Sequence, residues 1–470
     1  MAGIAAGAAA DAGGGLVIDA LGPAGPYRSR QRRTLTDLSG AAIGEMSLVP
    51  ALYARRTLAA MRAAPVMPGP ERLTAMATAA ELFLGGTYGG RGLDEHARLV
   101  STAAGVPLVV VRRALDGIAE VLRTQRDTCE LAMPRGAVGD WRDEPTVTGS
   151  AVWTRRGDVF AVHAAGNTPG VHGLWPEALA LGYKVVVRPS TREPYTAFRL
   201  VSALRAAGFP PDVLTFLPSD HAVADILIAE SDLAIVYGGQ DVVDAHAANP
   251  AVLTQGPGRS KILVTADVDW RERIDVIARS VVDLGGTACT CATAVLVEGD
   301  PEPVARELAR RLGAIPSLPP DDPAAVLSAS PLPAAATVDR YLRDVAAGAS
   351  PLLGGDTVVD ELPAGGAVLR PAVHLVDSAT APQLNLELPF PCVWVAPWRP
   401  ADGVGPLRDS LVLTVLTGRA ELVDTLLAEP SIHNVYVGDH LTTWIRPGIP
   451  HDGYLADFLM RTKAVIRPAA

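Results

Sequence analysis

The chain has 470 residues, of which 49% are apolar, and this length and composition predict about two to four domains with a large buried core. The formal net charge of −10 argues against a nucleic-acid-binding protein, which would carry a basic face. Only four cysteines are present, which excludes a disulfide scaffold and favours the reducing conditions of the cytoplasm.

The N-terminal part of the chain is expected to be mostly helical. The opening MAGIAAGAAADAGGG lacks the basic start of a signal peptide and indicates a frayed tail. Between about residues 40 and 135, segments such as RLTAMATAAELFLGG repeat apolar residues at spacings of three and four, which is typical of helices. The uncharged residues 159–176 include two histidines, an asparagine and two prolines, so no membrane span is expected there.

Strands and helices alternate in the next part of the chain. Alternating β-branched residues in TVTGSAVWTRRGDVFAVHAAG predict a pair of strands. KVVVRPS, DVLTFLPS and DLAIVYGG are predicted strands, each followed by a predicted helix. Repeated β-α-β units predict a parallel, doubly wound sheet, which binds ligands beyond the carboxyl ends of its strands. The loops AAGNTPG, RPSTREP and YGGQD are therefore the predicted binding loops.

A second β/α set begins near SKILVTADVD. It includes the predicted helix RIDVIARSVVDLGGTA and the predicted strand TAVLVEGD. The Pro-rich run PSLPPDDPAAVLSASPLPAAA predicts a surface connection. CVWVAPW, SLVLTVLTG and NVYVGD complete the set as predicted strands, with helices between them.

Two of the cysteines, Cys289 and Cys291, lie one residue apart in GGTACTC. A zinc site would need two further ligands at suitable spacing, and no Cys/His cluster lies nearby in the sequence, so no metal is expected. A cysteine is most often a small buried apolar residue, which is how we interpret Cys291 and Cys392. Cys289 follows a Gly-Gly-Thr-Ala turn between a helix and a strand, where backbone N–H groups would stabilise a thiolate. This context favours a nucleophile at Cys289, and a small buried residue is the alternative.

The GGTAC turn resembles the nucleophile turn of the aldehyde dehydrogenase superfamily, and further segments follow in that family's order from about residue 140 to 470. AGNTPG, KVVVRPS and AAGFPPDVLTFLPS resemble its Asn-x-Pro, Lys-Pro-Ser and Ala-Gly-x-Pro-Pro segments. LELPFPCVWVAPW resembles its Glu-x-Phe-Gly-Pro segment, and PHDGYLADFLMRTKAV its closing Gly-rich segment and tail. The resemblance implies an α/β fold with two doubly wound domains, one for the cofactor and one for catalysis, plus a small oligomerisation arm.

The resemblance also implies roles for individual residues. Cys289 would be the nucleophile, and the amide of Asn167 would stabilise the oxyanion with the Cys289 backbone N–H, although asparagine is also a common residue of such turns. His172 is interpreted as a substrate-pocket residue. The residues implied to bind a nicotinamide cofactor are Arg188, Ser190, Thr191, Arg192, Gly238, Gly239, Gln240, Gln255 and Glu387.

Two departures from the family pattern shape the expected function. Gln255 stands where hydrolytic members carry a glutamate that activates water, and an amide cannot act as a general base. Thr191 replaces an acid that would repel a 2′-phosphate, and Arg192 would pair with that phosphate, so NADPH is expected, with NADH as the alternative.

The combination of TACTC with ELPFP most resembles the LuxC-type acyl-CoA reductases. It predicts reduction of an acyl thioester, carried by CoA or an acyl-carrier protein, to the aldehyde. Two alternatives remain open: NAD(P)-dependent oxidation of an aldehyde to an acid or acyl-CoA, and a non-catalytic dehydrogenase-like scaffold.

Five segments are expected along the chain. Exposed arm strands need a partner, so a homodimer or homotetramer is expected, with no nucleic-acid or membrane partner and a cytoplasmic location. The segments are a helical N-terminal part of the cofactor domain (1–141), an oligomerisation strand arm (142–156), a Rossmann-like cofactor domain (157–259), a catalytic domain (260–435) and a C-terminal segment completing the cofactor and oligomerisation regions (436–470).

Overall fold

Two seven-stranded sheets with helices packed against them make up most of residues 16–469, which are the part of the chain described by the computed structural model. The expected fold of two doubly wound α/β units plus a small strand arm is confirmed. The segment interpreted as a frayed tail, residues 1–15, lies outside the described residues.

The described N-terminal region begins with short strands, so the helical character expected for residues 1–141 does not hold for residues 16–47. These strands have three to six residues and sit among Gly-Pro turns, so they are too short to show a period-2 pattern. They are β1 (Leu16–Ile18), β2 (Ala20–Gly22), β3 (Gly25–Tyr27), β4 (Arg32–Thr36) and β5 (Ala42–Ser47). β1, β5 and β4 form a three-stranded sheet, whereas β2 and β3 extend the edge of the cofactor sheet.

Helices follow as predicted, and proline marks where several of them begin. Pro50, Pro68 and Pro107 are the residues that immediately precede three of these helices. Proline suits this position because its fixed φ and missing N–H do no harm at the start of a helix. The helices are α1 (Ala51–Ala63), α2 (Gly69–Gly85), α3 (Leu93–Ala104), α4 (Leu108–Arg123) and α5 (Gln125–Ala132).

The cofactor sheet is parallel through five successive strands, beginning at its edge strand β12. Its strands are β8 (Val159–His163), β9 (Lys184–Arg188), β10 (Leu214–Phe216), β11 (Leu233–Tyr237) and β12 (Val252–Gln255), and its helices are α6 (Pro176–Ala180), α7 (Tyr195–Ala206), α8 (His221–Ala229) and α9 (Gln240–His246). The order β12-β11-β8-β9-β10-β2-β3 reverses direction between β8 and β11. A reversal of this kind opens a crevice at the carboxyl ends of the two strands, where ligands bind.

The arm contains β6 (Ala137–Val138), β7 (Ser150–Arg155) and β23 (Met460–Val465). β7 pairs with β23 in antiparallel register from Arg155 opposite Met460 to Ser150 opposite Val465. The prediction that β7 and β8 form a pair with each other is wrong, because β8 lies between β9 and β11 in the cofactor sheet. The C-terminal strand, far away in sequence, supplies the partner of β7 instead.

The catalytic sheet has the order β16-β19-β20-β14-β13-β21-β22. Its strands are β13 (Ser260–Val264), β14 (Ala292–Glu298), β16 (Ser350–Leu353), β19 (Ala372–Leu375), β20 (Cys392–Trp398), β21 (Ser410–Leu416) and β22 (Ile432–Val437), and its helices are α10 (Trp270–Val282), α11 (Glu302–Leu312) and α13 (Ala420–Leu427). Apolar clusters pack on both faces of this sheet, which explains the continuous Val and Leu runs of its central strands. α14 (Leu455–Leu459) leads into the arm.

The Pro-rich connection is not wholly on the surface, contrary to its prediction. Leu327 and Ala329 within it are each 1% exposed and pack against Leu38 of the N-terminal region. The segment contains β15 (Ala329–Ser330) and the beginning of α12 (Leu332–Val345). β17 (Val359–Glu361) and β18 (Ala367–Leu369) follow it in the chain and form a three-stranded sheet with β15. Across residues 16–469, no helix combines the length and apolar character needed to cross a bilayer.

Candidate active site

The nucleophile turn has an unusual backbone conformation. After α10 the chain passes through a 3₁₀ turn, Asp283–Gly286, in which Leu284 and both glycines have positive φ. A side chain at Gly286 would meet the ring of Pro391 at 2.2 Å, so this turn needs glycine for space as well as for its φ of 67°. Cys289 follows, half-buried, and Thr290 and Cys291 separate it from the start of β14.

The loop between β12 and β13 packs directly on this turn. The Ser260 hydroxyl donates to the Cys289 carbonyl oxygen over 2.9 Å. A Cβ at Gly258 would lie only 2.0 Å from that oxygen, so the two backbones are in contact because Gly258 has no side chain. The position of Cys289 is therefore set both by its own turn and by the loop between β12 and β13.

Asn167 lies next to the nucleophile turn, as the resemblance implies. It follows the carboxyl end of β8, and its side-chain nitrogen donates to the Thr287 carbonyl oxygen over 3.0 Å. This bond uses one N–H of the amide and leaves the other to bind a substrate oxygen. The contact joins the predicted loop AAGNTPG of the cofactor sheet to the turn that carries Cys289.

The backbone N–H groups at Cys289 favour the thiolate, as expected, but burial outweighs them. Burial, with the negative charges of Glu387 and Asp452 added to it, raises the pKa of the Cys289 thiol to about 12. The backbone N–H groups of Cys289 and Thr290 oppose this shift but do not overcome it. The sulfur is therefore protonated at neutral pH, and it has to lose its proton when it reacts.

Glu387 faces the same loop. Its Oε2 accepts hydrogen bonds from the backbone N–H groups of Gly258 and Arg259 at 2.8 and 2.9 Å. Burial raises the pKa of Glu387, although the two backbone donors favour the charged form. Phe390 is 3% exposed and belongs to the catalytic core, so this aromatic ring does not line an open pocket.

The carboxyl end of β9 carries the proposed adenosine-binding residues. Arg188 donates from Nη2 to the Ser219 carbonyl oxygen at 3.2 Å, while its buried Nε has no partner among the described residues. Burial, followed by the charge of Arg33 on β4, lowers the pKa of Arg188. An unsatisfied buried donor at a strand end fits a ribose hydroxyl as its missing acceptor.

Some polar groups of the loop after β9 already form hydrogen bonds within the protein. The Ser190 hydroxyl accepts from the Arg192 backbone N–H at 3.1 Å. The Arg192 side chain donates from Nη2 to the carbonyl oxygens of Ala104 and Ala329 at 2.5 and 3.4 Å. Part of the guanidinium is thus directed away from any ligand, whereas Thr191 is partly exposed.

The other predicted cofactor residues surround the ends of β11 and β12. Gly238 donates its N–H to the Gln255 carbonyl oxygen at 3.1 Å, and Gly239 immediately precedes α9. Gln240 accepts a hydrogen bond from Arg259 through its side-chain oxygen. The structure therefore brings these residues, Cys289 and Glu387 to one edge of the two sheets.

His172 is not placed as the sequence suggested. It is fully buried, and its Nδ1 accepts a hydrogen bond from the Trp175 indole at 3.0 Å. Burial lowers the pKa of His172 to about 3, so the ring is neutral. The His172 side chain therefore has a packing role next to the Asn167 loop. Its acceptor nitrogen is already hydrogen-bonded to the indole and cannot accept a proton from a substrate.

Sequence reasoning missed Asp452 and His433. Asp452 accepts a hydrogen bond from the Gln255 side chain at 3.1 Å and a second one from His433 Nδ1. Asp452 lies in PHDGY, which resembles the closing Gly-rich segment of the family. An acidic residue in that segment was the only feature of the sequence that could have indicated it. His433 is on β22, more than 140 residues from Cys289 in sequence, and no motif marks it.

The sequence profile of the aldehyde dehydrogenase family matches residues 54–398, which is more than half of the chain. The chain belongs to the aldehyde dehydrogenase family. Malonate-semialdehyde dehydrogenase 3 of Geobacillus kaustophilus is 30% identical over 148 residues, which are 30% of this chain and 30% of the relative. The 5-carboxymethyl-2-hydroxymuconate semialdehyde dehydrogenase of Escherichia coli is 28% identical over 231 residues, 46% of this chain and 49% of the relative. The matches thus span about a third to a half of these relatives.

Solved aldehyde dehydrogenase structures match almost the whole chain. An NAD-dependent aldehyde dehydrogenase from Sinorhizobium meliloti has a TM-score of 0.81 at 20% identity, covering 97% of this chain and 96% of the other. The indole-3-acetaldehyde dehydrogenase of P. syringae, in complex with NAD+ and IAA, has a TM-score of 0.81 at 19% identity, covering 95% and 96%. At these identities the likeness establishes the fold. Together the matches support the superfamily and do not point to the LuxC-type acyl-CoA reductases.

Proposed function

We propose that this family member oxidises an aldehyde with a nicotinamide dinucleotide through a covalent intermediate on Cys289. The observation that carries the proposal is the contact of Asn167 with the turn that holds Cys289, because it joins an oxyanion donor to a nucleophile. The relatives named as semialdehyde dehydrogenases favour oxidation over the thioester reduction expected from the sequence.

The residues of the chain divide the chemistry among them. The Cys289 sulfur adds to the aldehyde carbon, and the thiol proton passes to solvent as the C–S bond forms. The free N–H of Asn167 and the Cys289 backbone N–H bind the developing oxyanion, each donor contributing roughly 3 kcal/mol. Loss of a hydride from the former aldehyde carbon, for which a bound nicotinamide dinucleotide would be the acceptor, would leave a thioester on Cys289. That thioester must be released to regenerate the thiol.

The chain has a fitting set of groups for the cofactor. When bound, a nicotinamide dinucleotide supplies the hydride acceptor of the reaction. Arg188, with its unsatisfied Nε, would hold the adenosine ribose, and Glu387 would hold the nicotinamide ribose. We infer a preference for the 2′-phosphorylated form, since Thr191 brings no negative charge and the positive charge of Arg33 acts on Arg188.

A direct assay tests the proposed oxidation. The purified protein is mixed with NAD+ or NADP+ and a panel of aliphatic aldehydes that includes carboxylated semialdehydes. We expect aldehyde-dependent formation of reduced cofactor that is lost in Cys289→Ala and kept in Cys291→Ala, whose parent side chain is buried and donates to the Asp283 carbonyl oxygen. Absence of reduced cofactor with every aldehyde would overturn the proposal.

Reduction of an acyl thioester is a second candidate, favoured by one observation. Gln255 occupies the position of the family's water-activating glutamate, and without a base a thioester on Cys289 would persist long enough to be formed from acyl-CoA or an acyl-carrier protein. Incubation with acyl-CoA and NADPH distinguishes the two: consumption of NADPH with release of aldehyde supports reduction. No consumption, together with aldehyde oxidation, excludes it.

We also propose that two copies of the chain associate through the arm. β23 and β22 are both sheet edges, and unpaired edges of this kind are sites of strand pairing. Apolar side chains cluster in sequence around them and are exposed, namely Val437, Trp444, Ile445, Ile449 and Ile466. We expect light scattering to show a dimer or tetramer. The Ile466→Glu variant, altered at a side chain that is 76% exposed, should shift it toward monomer; a wild-type monomer would contradict this assembly.

A further inference from the structure

We propose that Asp452, held between Gln255 and His433, accepts the proton of the water that releases the acyl group from Cys289. The proposal rests on the oxidation proposed above and supplies the proton acceptor that Gln255 cannot provide. It assigns a further catalytic residue from the C-terminal segment of the chain, outside the motifs that mark the rest of the site.

The geometry places Asp452 beside the position from which a base would act. Its Oδ2 accepts a hydrogen bond from the Gln255 side chain at 3.1 Å, and its Oδ1 is bonded to His433 Nδ1. Gln255 ends β12, at the same edge of the cofactor sheet as the loop that carries Asn167. The negative charge of Asp452 also acts on the Cys289 thiol and on the Tyr237 hydroxyl, which places the carboxylate within electrostatic range of the reacting sulfur.

The Asp452 carboxylate is ionised, and it contacts Gln255 on one side and the more exposed His433 on the other. Burial would raise the pKa of Asp452, but the bonds from His433 and Gln255 and the nearby His451 hold it below its ordinary value. The Asp452 side chain is 24% exposed and that of His433 is 47% exposed in the single chain. Asp452 can therefore receive a proton from the interior side while His433 faces outward.

The release step balances without any other reagent. The water oxygen bonds to the carbonyl carbon of the thioester while one water proton moves to Asp452. The tetrahedral intermediate then collapses, its C–S bond breaks, and the sulfur takes the proton from Asp452, which regenerates both groups and frees the carboxylic acid. Return of the proton to the sulfur is favourable because the thiol has a pKa of about 12, far above that of a carboxylic acid.

His433 tunes this acceptor and gives the step a pH dependence. The hydrogen bond that His433 donates to Asp452, opposed by partial burial and supported by the charge of Asp409, raises the pKa of His433 above its ordinary value. A protonated His433 weakens Asp452 as a base, so release should speed up as the pH rises through the raised pKa of His433. Gln255, His451, Cys289 and Tyr237 complete the polar groups that act on the pair.

The test separates release from formation of the acyl-enzyme. In Asp452→Asn we expect an initial burst of about one reduced cofactor per site, followed by steady-state turnover that is lower by roughly 10²- to 10⁴-fold, the usual contribution of a general base. Hydroxylamine, a nucleophile that needs no such base, should restore turnover. The matched control Asp439→Asn removes an exposed acid that pairs with Arg273, and it should behave as wild type.

Two further measurements distinguish a failure of this proposal from a failure of the proposed oxidation. An activated ester such as p-nitrophenyl acetate acylates a reactive cysteine without any cofactor, and intact-mass measurement then follows the decay of the acyl-enzyme. We expect slow decay in Asp452→Asn, and in His433→Gln a decay rate that no longer rises with pH through the raised pKa of His433. Acyl-enzyme decay at the wild-type rate in folded Asp452→Asn overturns the inference, even if no aldehyde is oxidised. Loss of the burst together with turnover overturns it as well, since that outcome indicates a merely structural role.

Discussion

Gly258 gives the most direct test of how the nucleophile is positioned. In Gly258→Ala the new Cβ would lie 2.0 Å from the Cys289 carbonyl oxygen, 2.7 Å from its carbonyl carbon and 3.0 Å from its Cβ. Non-bonded carbon atoms are at their optimum roughly 3.5–4.0 Å apart, so the two backbones must separate by about 1 Å. Neither neighbour is the flexible end of a side chain, so the displacement falls on the turn that carries Cys289.

The expected effect on catalysis is larger than the effect on stability. A misplacement of about 1 Å in a reacting group can reduce the rate by roughly 10²-fold, whereas a single added methyl in a packed region costs about 1–3 kcal/mol. Aldehyde-dependent formation of reduced cofactor measures the first quantity, and urea unfolding measures the second. We expect the burst and the steady-state rate of Gly258→Ala to fall together, because the nucleophile itself is displaced.

Gly117→Ala is the matched control for this substitution. Gly117 lies inside α4, and an added Cβ meets no atom within 4 Å. Alanine is favoured over glycine in a helix interior by about 1 kcal/mol, so this variant should be slightly more stable and fully active. Unchanged activity in Gly258→Ala would refute the view that the contact between Gly258 and the turn sets the position of Cys289.

Three further predictions concern the reacting groups. Cys289→Ser should abolish acyl transfer, whereas Cys291→Ser should keep it. The reverse result in the activity assay would show that Cys289 is not the nucleophile. Asn167→Ala should lower turnover by about 10²- to 10³-fold with little change in the free energy of unfolding, as removal of an oxyanion donor does. An unchanged rate would show that Asn167 does not bind the oxyanion. Since the Cys289 pKa is about 12, its thiolate fraction rises tenfold per pH unit below that value. Iodoacetamide labelling of its peptide, followed by mass spectrometry, should therefore accelerate about tenfold per pH unit between roughly pH 7 and 10, and a flat profile would show that the thiol is already ionised.

Local sequence patterns predicted the central elements of the fold because those elements are made by local forces. KVVVR and LAIVY form β9 and β11 as expected, since a run of β-branched residues between turns suits a strand buried on both faces. The short strands before residue 48 escaped prediction because three-residue strands such as β2 have no period to detect. Strand pairing could not be predicted from sequence either. β7 pairs with β23, about 300 residues later, and nothing in either segment alone specifies the other.

The same division holds within the candidate site. The sequence by itself determined which chemical groups are available: a cysteine in a Gly-rich turn, an asparagine after a strand, and an amide in place of a general base at Gln255. Only the tertiary structure decided what surrounds them. The protonation of Cys289, the burial of His172 against Trp175 and the carboxylate of Asp452 beside Gln255 depend on desolvation and through-space charge. These forces act between atoms that are close in space wherever they lie along the chain, and so no local pattern records them.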